Sequence, residues 1–203
     1  GGAIYASGIK SIQIVNTSFT NCKAFGGGAM YIYSISECAS LRMCQFDRCS
    51  ALRLGGGLYY TNGIPAGNDV CHKGTNITDG TVGDGVGLVV DCSFTECATN
   101  DTGSANYGGG GINWYNPPNA ILIRLCLFSQ CSATEYGGAL HMRYINLPGA
   151  TDKLVYDTFF EDNTLTSNTI NGWDVYLIRS GGTFTATPLV NTFTSRTESK
   201  KFF

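Results

Sequence analysis

The amino-acid sequence predicts an all-β solenoid, a parallel β-helix of about six coils. A block of two glycines, a small residue and an aliphatic residue recurs along the chain. Each copy is followed by an alternating apolar and polar stretch that ends in Phe-x-x-Cys or a variant of it. This alternation has the period of two that is typical of strands, and no segment has the apolar stripe of a helix. Units this short bury a core only when they stack.

The repeated blocks align in two apolar columns. The aliphatic column consists of Ile4, Met30, Leu58, Ile112, Leu140 and Val175. The phenylalanine column consists of Phe19, Phe46, Phe94, Phe128, Phe160 and Phe193. Successive members of the aliphatic column lie 26, 28, 54, 28 and 35 residues apart, so the base period is about 27 residues. We expect both columns to point into the core, where burial of each side chain contributes about 1.5–3 kcal/mol.

The longest interval predicts an insertion in the third coil. This interval contains only one Phe-x-x-Cys block, and its stretches NGIPAGND and TDGTVGDG are typical of loops, so we place the insertion at residues 61–84. Glycines are expected at turns with positive φ, or where stacked coils leave no room for a Cβ atom. Residues 1–203 are expected to form a single domain. Because the first residues already belong to a repeat, we expect a fragment of a longer chain.

Composition and charge argue against two classes of protein. The net charge is −2 and only 14% of the residues are charged, without a basic stripe, so nucleic-acid binding is not predicted. No apolar run reaches about 18 residues, so we predict no membrane span in this segment. No cofactor motif is present, and we predict neither a cofactor nor a metal site.

The repeat resembles that of a family of surface proteins. GGA[ILV] paired with FxxN is the repeat of the chlamydial polymorphic membrane proteins and of related Pmp-like proteins, and GGAI (1–4), GGAL (137–140) and FEDN (160–163) match it. The resemblance extends over nearly the whole chain as a repeat pattern. It implies a right-handed parallel β-helix on a cell surface, often in adhesion, and no catalytic residues. The sequence departs from the pattern where Cys replaces Asn, at Cys22, Cys49, Cys97 and Cys131.

Three copies of Cys-x-Phe-x-x-Cys are compatible with several bonding states of the cysteines. We favour a disulfide within each coil. The pairs are Cys44 with Cys49, Cys92 with Cys97, and Cys126 with Cys131. Where Asn163 replaces the second Cys, Thr158 replaces the first, which supports pairing. The alternatives are a ladder of reduced thiols inside the coils and staggered bonds between coils, such as Cys22 to Cys44. Zinc sites are disfavoured by the ligand spacing.

The remaining cysteines and the glycosylation motifs favour a secreted protein. Cys38 and Cys71 lie outside the repeat columns, and a bond between them would hold the insertion against the coils. Cys22 is then left over, either free or paired outside this sequence. Three N-x-[ST] motifs begin at Asn16, Asn76 and Asn100. Together with nine cysteines they indicate an extracellular or cell-surface location.

One more column alternates with the aliphatic column and is therefore predicted to face outward. It consists of Tyr5, Tyr31, Tyr59, Asn113, His141 and Tyr176. Stacked rings stabilise neighbouring coils, and tyrosine also contacts sugars and protein surfaces. We expect a non-enzymatic structural or adhesive surface module, or a filament or appendage subunit. Its partners would be proteins, glycans or further copies stacked end to end. The alternative is a carbohydrate-active enzyme (polysaccharide lyase or glycoside hydrolase), which needs converging carboxylates.

Overall fold

The computed structural model is an all-β, right-handed parallel β-helix, as predicted. It describes residues 1–61, 76–77, 80–81, 87–100, 107–115, 121–145, 155–166, 174–179 and 193–195. These segments contain 24 strands and no helix. Accordingly, no helix in the described segments could span a membrane. Four parallel sheets, A to D, run along the axis of the solenoid.

Each coil crosses the four sheets in turn. Sheet A contains β1 (Ile4–Ser7), β5 (Met30–Tyr33), β9 (Leu58–Thr61), β15 (Ile112–Tyr115), β19 (Leu140–Ile145) and β23 (Val175–Arg179). Sheet B contains β2 (Ser11–Val15), β6 (Cys38–Arg42), β12 (Gly87–Val90), β16 (Ile121–Arg124) and β20 (Val155–Tyr156). Sheet C contains β3 (Ser18–Thr20), β7 (Gln45–Asp47), β13 (Ser93–Thr95), β17 (Leu127–Ser129), β21 (Thr158–Glu161) and β24 (Phe193–Ser195). Sheet D contains β4 (Lys23–Gly26), β8 (Ser50–Leu54), β14 (Ala98–Thr99), β18 (Ser132–Ala133) and β22 (Thr164–Leu165).

The number of coils is slightly lower than predicted. Five coils place a strand in every sheet, whereas the sixth contributes only β23 and β24 within the described residues. The repeat blocks of this last coil also depart most from the pattern of the other coils. The sequence therefore predicted a complete sixth coil less strongly than it predicted the first five. In the third coil, β9 ends at Thr61 and β12 begins at Gly87, with the insertion between them. Two short strands of the insertion, β10 (Asn76–Ile77) and β11 (Gly80–Thr81), pair antiparallel.

Strand register confirms the aliphatic column and corrects one end of the phenylalanine column. Each aliphatic member pairs with its equivalent in the next coil, from Ile4 with Met30 to Leu140 with Val175. In sheet C the phenylalanine column ends at Phe160, because Phe193 pairs with Thr158 and Ser195 pairs with Phe160. A displacement of two residues keeps each side chain on the same face of the strand. The periodicity of two therefore could not reveal it.

The phenylalanine column forms a continuous stack in the core. Ring centroids of successive members, from Phe19 to Phe160, lie 4.9, 4.5, 4.8 and 5.1 Å apart, with interplanar angles of 19° or less. These distances match the strand spacing of about 4.8 Å, so in-register strands place each ring over the next. The stack therefore follows directly from the repeat.

Most turns of the coil use residues other than glycine. One corner precedes the strand of sheet C and consists of Asn16, Met43, Asp91, Leu125 and Asp157 in successive coils. The next corner follows that strand and consists of Asn21, Arg48, Glu96, Gln130 and Asp162. All ten have φ between 48° and 55°, in the left-handed region. Glycine takes a third corner, for example Gly55 with φ of 55°. Glycine thus lies at turns with positive φ or where stacked coils leave no room for a Cβ atom, as expected, but the two corners beside sheet C use other residues.

Replacing Leu125 by Asn should stabilise the protein. Leu125 has φ of 53° and is 51% exposed, so it combines backbone strain with little burial. The left-handed conformation costs a non-glycine residue about 1–2 kcal/mol, and Asn tolerates it best. We expect the free energy of unfolding to rise by about 0.5–1 kcal/mol in urea denaturation. The control is Leu127→Asn in strand β17, which should bring no gain. An equal gain at both positions would contradict the strain explanation.

Candidate functional site: thiol ladders and an aromatic patch

The repeat cysteines form two columns of thiols inside the β-helix, one on each side of the phenylalanine column. The first thiol ladder consists of Cys44, Cys92 and Cys126 and continues in Thr158. The second thiol ladder consists of Cys22, Cys49, Cys97 and Cys131 and continues in Asn163. All seven cysteines are thiols, and all except the half-buried Cys22 are buried.

The favoured prediction of disulfides within the coils is therefore wrong. The six cysteines concerned are Cys44, Cys49, Cys92, Cys97, Cys126 and Cys131. Within a coil the two thiols lie at the two ends of a strand of sheet C. With a rise of about 3.3 Å per residue, the extended stretch from Cys44 to the end of β7 at Asp47 alone covers about 10 Å, which holds the two cysteines farther apart than the 4.4–6.8 Å between the Cα atoms of a disulfide. The buried ring of Phe46, and its equivalents, also lies between them. The staggered bond from Cys22 to Cys44 is absent too.

The second thiol ladder shows why Cys can replace Asn in this repeat. Every thiol of this ladder except Cys22 donates to the carbonyl oxygen of the phenylalanine in the preceding coil. These Sγ···O distances are 3.4 Å for Cys49 to Phe19, 3.4 Å for Cys97 to Phe46 and 3.3 Å for Cys131 to Phe94. Asn163 makes the same contact, donating from Nδ2 to Phe128 O at 3.0 Å. A thiol is a weaker donor than an amide, but it satisfies the same buried carbonyl.

Contacts along the ladders raise the pKa of Cys49 and Cys92. The hydrogen bond with Cys126 is the largest cause that raises the pKa of Cys92, to about 12. The hydrogen bond with Cys97, followed by burial, raises the pKa of Cys49. Since the thiolate is the nucleophile and metal ligand, the raised pKa keeps Cys49 and Cys92 in the unreactive thiol form at neutral pH. Together with their burial and hydrogen bonds, this favours a structural role.

The other cysteine and sequon predictions have mixed outcomes. Cys38 is disulfide-bonded. Cys71, its predicted partner, lies outside the described residues, and none of the seven thiols is that partner. Asn16 and Asn100 are exposed, so a glycan could be attached at either side chain. Asn76 lies in β10, where the structure describes only the backbone.

The predicted outward column is exposed only at its beginning. Tyr5 is 67% exposed and Tyr31 is half-buried. Tyr59, Asn113 and His141 also lie on the outer face of sheet A, because they alternate with the aliphatic column, yet all three are buried. Alternation therefore placed them on the predicted outer face, but other side chains cover them there. The side chain of Tyr176 lies outside the described residues.

Turn residues that precede the glycine corners cover this outer face in the later coils. Asn113 Nδ2 donates to Gly108 O at 3.0 Å and lies 3.3 Å from Nδ1 of His141. The ring of Tyr136 stacks on that of His141, with 5.6 Å between centroids. Burial, with a smaller effect of the Arg143 charge, lowers the pKa of His141 to about 3. His141 is thus neutral and part of the packing.

We expect His141 to make the fold sensitive to mild acid. The unfolded chain takes up a proton at His141 below about pH 6.5, whereas the folded protein does so only near pH 3. Stability is therefore complete above pH 6.5 and is lost as the pH falls, by about 1.4 kcal/mol per unit. This amounts to about 2 kcal/mol between pH 6.5 and pH 5.

The measurement is urea denaturation at pH 7 and pH 5. The control is His141→Asn, which places the residue of the preceding coil, Asn113, at this position and cannot titrate. The variant should lose less stability than the wild type on acidification. The same loss in both proteins would show that other groups cause the pH dependence.

Three exposed aromatic side chains of the first two coils, Tyr5, Phe25 and Tyr33, form with the half-buried Tyr31 and Arg53 what we term the aromatic patch. Tyr5 stacks on Tyr31 with 5.1 Å between centroids. A Cβ atom at Gly26 would lie 3.4 Å from Cε2 of Tyr31, so this ring lies across the corner beside Phe25. The guanidinium of Arg53 lies 4.7 Å from the centre of the Phe25 ring.

Sequence reasoning found only the tyrosines of this patch that belong to the outward column. Phe25, Arg53 and Tyr107 each lie two residues before the left-handed glycine that begins a block, so they form a further column. Arg53 lies over both rings and donates from Nη1 to the Tyr107 hydroxyl at 3.0 Å. The shared offset from the glycine blocks was the signal that could have revealed this column.

The fold places this protein in the class of parallel β-helix repeat proteins. In comparisons with family models, curated proteins and solved structures, nothing matches the chain. Within the described segments, no three His, Cys, Asp or Glu side chains form a group that could hold a metal ion.

Proposed function

We propose that this protein is a non-enzymatic extracellular module that binds protein or glycan partners through the aromatic patch. The exposure of Phe25, 60%, together with that of Tyr5 is the observation that carries the proposal. Large apolar rings are normally buried, and a cluster of them beside an arginine is typical of interaction surfaces. The tyrosine hydroxyls and the guanidinium supply hydrogen bonds at the same surface.

Three further observations support this proposal. The inner face of the strand that carries Tyr31 and Tyr33 is packed in the core through Met30 and Ile32, and such a fixed support lowers the entropy lost on binding. The repeat resembles that of the Pmp-like surface proteins, which often act in adhesion. The disulfide at Cys38 and the exposed Asn16 agree with an oxidising, secretory environment.

The experiment is a binding assay with the immobilised protein on a glycan array and on a panel of extracellular matrix proteins. The double variant Phe25→Ser and Tyr33→Ser should weaken binding at least tenfold, about 1.4 kcal/mol. The matched control is Phe159→Ser, which removes a ring that is 51% exposed on sheet C, outside the patch. Equal loss in both variants, or unchanged binding in the double variant, would contradict the role of the patch.

A second assay separates this proposal from the carbohydrate-active enzyme. The protein is incubated with acidic and neutral polysaccharides, and new reducing ends and unsaturated products are measured. We expect none above the level of a heat-denatured sample. Product formation would contradict the non-enzymatic function.

A further inference from the structure

Two neighbouring columns on the outer face of sheet D carry no charge from the second to the fourth coil. The first column consists of Ser50, Ala98 and Ser132, which pair in register and are half-buried. The second column consists of Leu52, Asn100 and Thr134, each two residues further along the chain. Both columns face outward because they alternate with residues that are buried: Ala51, Thr99 and Ala133. The strands β8, β14 and β18 are the inner strands of sheet D, so a neighbouring coil lies on either side of each.

Leu52 and Asn100 lie side by side on this face. Thr99 pairs with Ala51, so the residues that follow them are separated by one strand spacing, about 4.8 Å. Leu52 is 49% exposed, and Asn100 is exposed beside it. The side-chain amide of Asn100 makes no hydrogen bond to the residues that the structure describes. Soluble surfaces normally carry interspersed charges and few exposed leucine side chains, so this uncharged face would gain from a polar cover.

The sequence supplies an attachment point for such a cover. Asn100 is the first residue of Asn100-Asp101-Thr102, a motif that accepts N-linked glycans, and it is the residue of this motif that the structure describes. We propose that Asn100 carries an N-linked oligosaccharide whose first sugars pack over Leu52. The apolar faces of the sugar rings cover the leucine side chain, and the sugar hydroxyl groups give this face the polar surface that its own side chains lack.

The modification is a group transfer to the Asn100 side chain from a lipid-linked oligosaccharide pyrophosphate. A bond forms between Nδ2 and the anomeric carbon of the first sugar, and the bond from that carbon to the lipid pyrophosphate breaks. The pyrophosphate leaves with the electron pair of the broken bond, and Nδ2 loses one proton. The transfer needs neither an oxidant nor a reductant, and the modified amide keeps one N–H donor and its carbonyl acceptor.

This inference rests on the extracellular location in the proposed function, because N-linked glycans are attached in the secretory pathway. It does not rest on binding at the aromatic patch, since neither Asn100 nor Leu52 belongs to that patch. The double variant Phe25→Ser and Tyr33→Ser should therefore carry the same glycan at Asn100. A glycosylated protein that binds no partner would contradict only the binding function.

The first experiment measures the occupancy of Asn100 in the full chain secreted from cultured eukaryotic cells. The protein is digested and treated with peptide N-glycosidase in heavy-oxygen water, and mass spectrometry detects the labelled aspartate that replaces a glycosylated asparagine. We expect a glycan at Asn100 in the wild type and in Thr102→Ser, which keeps the motif, and none in Thr102→Ala. An unmodified Asn100 in the secreted wild type would overturn the proposal.

The second experiment tests the packing on Leu52 by urea denaturation of the secreted proteins. Thr102→Ala and Asn100→Gln should lower the urea midpoint by the same amount, whereas Thr102→Ser should leave it unchanged. In a Leu52→Ser background the decrease should be at most about half as large, because the sugars lose their apolar contact. An equal decrease in both backgrounds, or no decrease in either, would overturn the packing of the glycan on Leu52.

Discussion

Replacing Phe94 by Ala should lower the free energy of unfolding by about 3–5 kcal/mol, as expected for loss of a fully buried aromatic ring. Phe94 is fully buried and lies between two parallel rings, with centroids 4.5 Å from Phe46 and 4.8 Å from Phe128. The substitution therefore removes two ring contacts as well as apolar burial. A β-helix cannot close the resulting cavity easily, because backbone hydrogen bonds fix the spacing of its coils.

Two controls make this prediction specific to the stack. Phe159→Ala removes an exposed ring from the outer face of the same sheet, and we expect a change within about 0.5 kcal/mol. Phe19→Ala removes a ring that stacks only on Phe46 within the described residues, and it should cost less than Phe94→Ala. Equal costs at Phe19 and Phe94 would indicate that burial alone, and not stacking on both sides, determines the contribution. The measurement is urea denaturation followed by circular dichroism.

Replacing Gly56 by Ala should cost about 3 kcal/mol or more, because it forces two coils apart. A Cβ atom at this position would lie 2.1 Å from Gly110 O and 2.4 Å from Ala98 N, and both atoms belong to the backbone of the next coil. Backbone cannot move aside as a flexible side chain can. The Gly56 amide also donates to Gly109 O at 3.1 Å, a bond that the displacement would weaken.

Gly8→Ala is the matched control for this variant. Gly8 has φ of 61°, and a Cβ atom added there would have no neighbouring atom within 4 Å, so alanine meets backbone strain without a clash. That strain costs about 1–2 kcal/mol. The difference between the two variants in urea denaturation isolates the steric effect between coils. A similar cost for both would contradict the close approach of the coils at Gly56.

The parts of the fold that depend on repetition could be predicted from the sequence. A period of about 27 residues and an alternation of two define which side chains stack and which point inward, so Ile4 to Val175 and Phe19 to Phe160 align as expected. The prediction failed at Phe193 because a displacement of two residues preserves the alternation. Local pattern alone does not determine register where the repeat has degenerated.

The state of the cysteines could not be predicted, because it depends on the geometry of the corners. Met43 and Arg48 each turn the chain with a left-handed backbone conformation. Neither methionine nor arginine is a residue type that favours this conformation, so the sequence does not indicate a corner at these positions. With corners at both ends, the strand between them holds Cys44 and Cys49 apart. In the fifth coil Thr158 and Asn163 stand at the positions of the two cysteines. The two thiol ladders both end there, which explains why both cysteines are replaced in the same coil.

The candidate site was predicted only in part, because its exposure depends on neighbouring coils. Alternation correctly placed Tyr59 and His141 on the outer face of sheet A. They are buried because other side chains pack over this face, as Tyr136 does over His141. The alternation of apolar and polar residues along a strand does not predict such contacts. The aromatic patch is exposed where this covering is absent among the described residues, beside Tyr5.

Intact mass after alkylation of the denatured, unreduced protein tests the central structural claim most directly. Of the nine cysteines, the seven in the two thiol ladders should be modified, and Cys38 and its partner should not. Reduction before alkylation should then raise the number to nine. A single modified cysteine without reduction would mean that the thiols of each coil are joined by disulfides, which would contradict the account of the ladders.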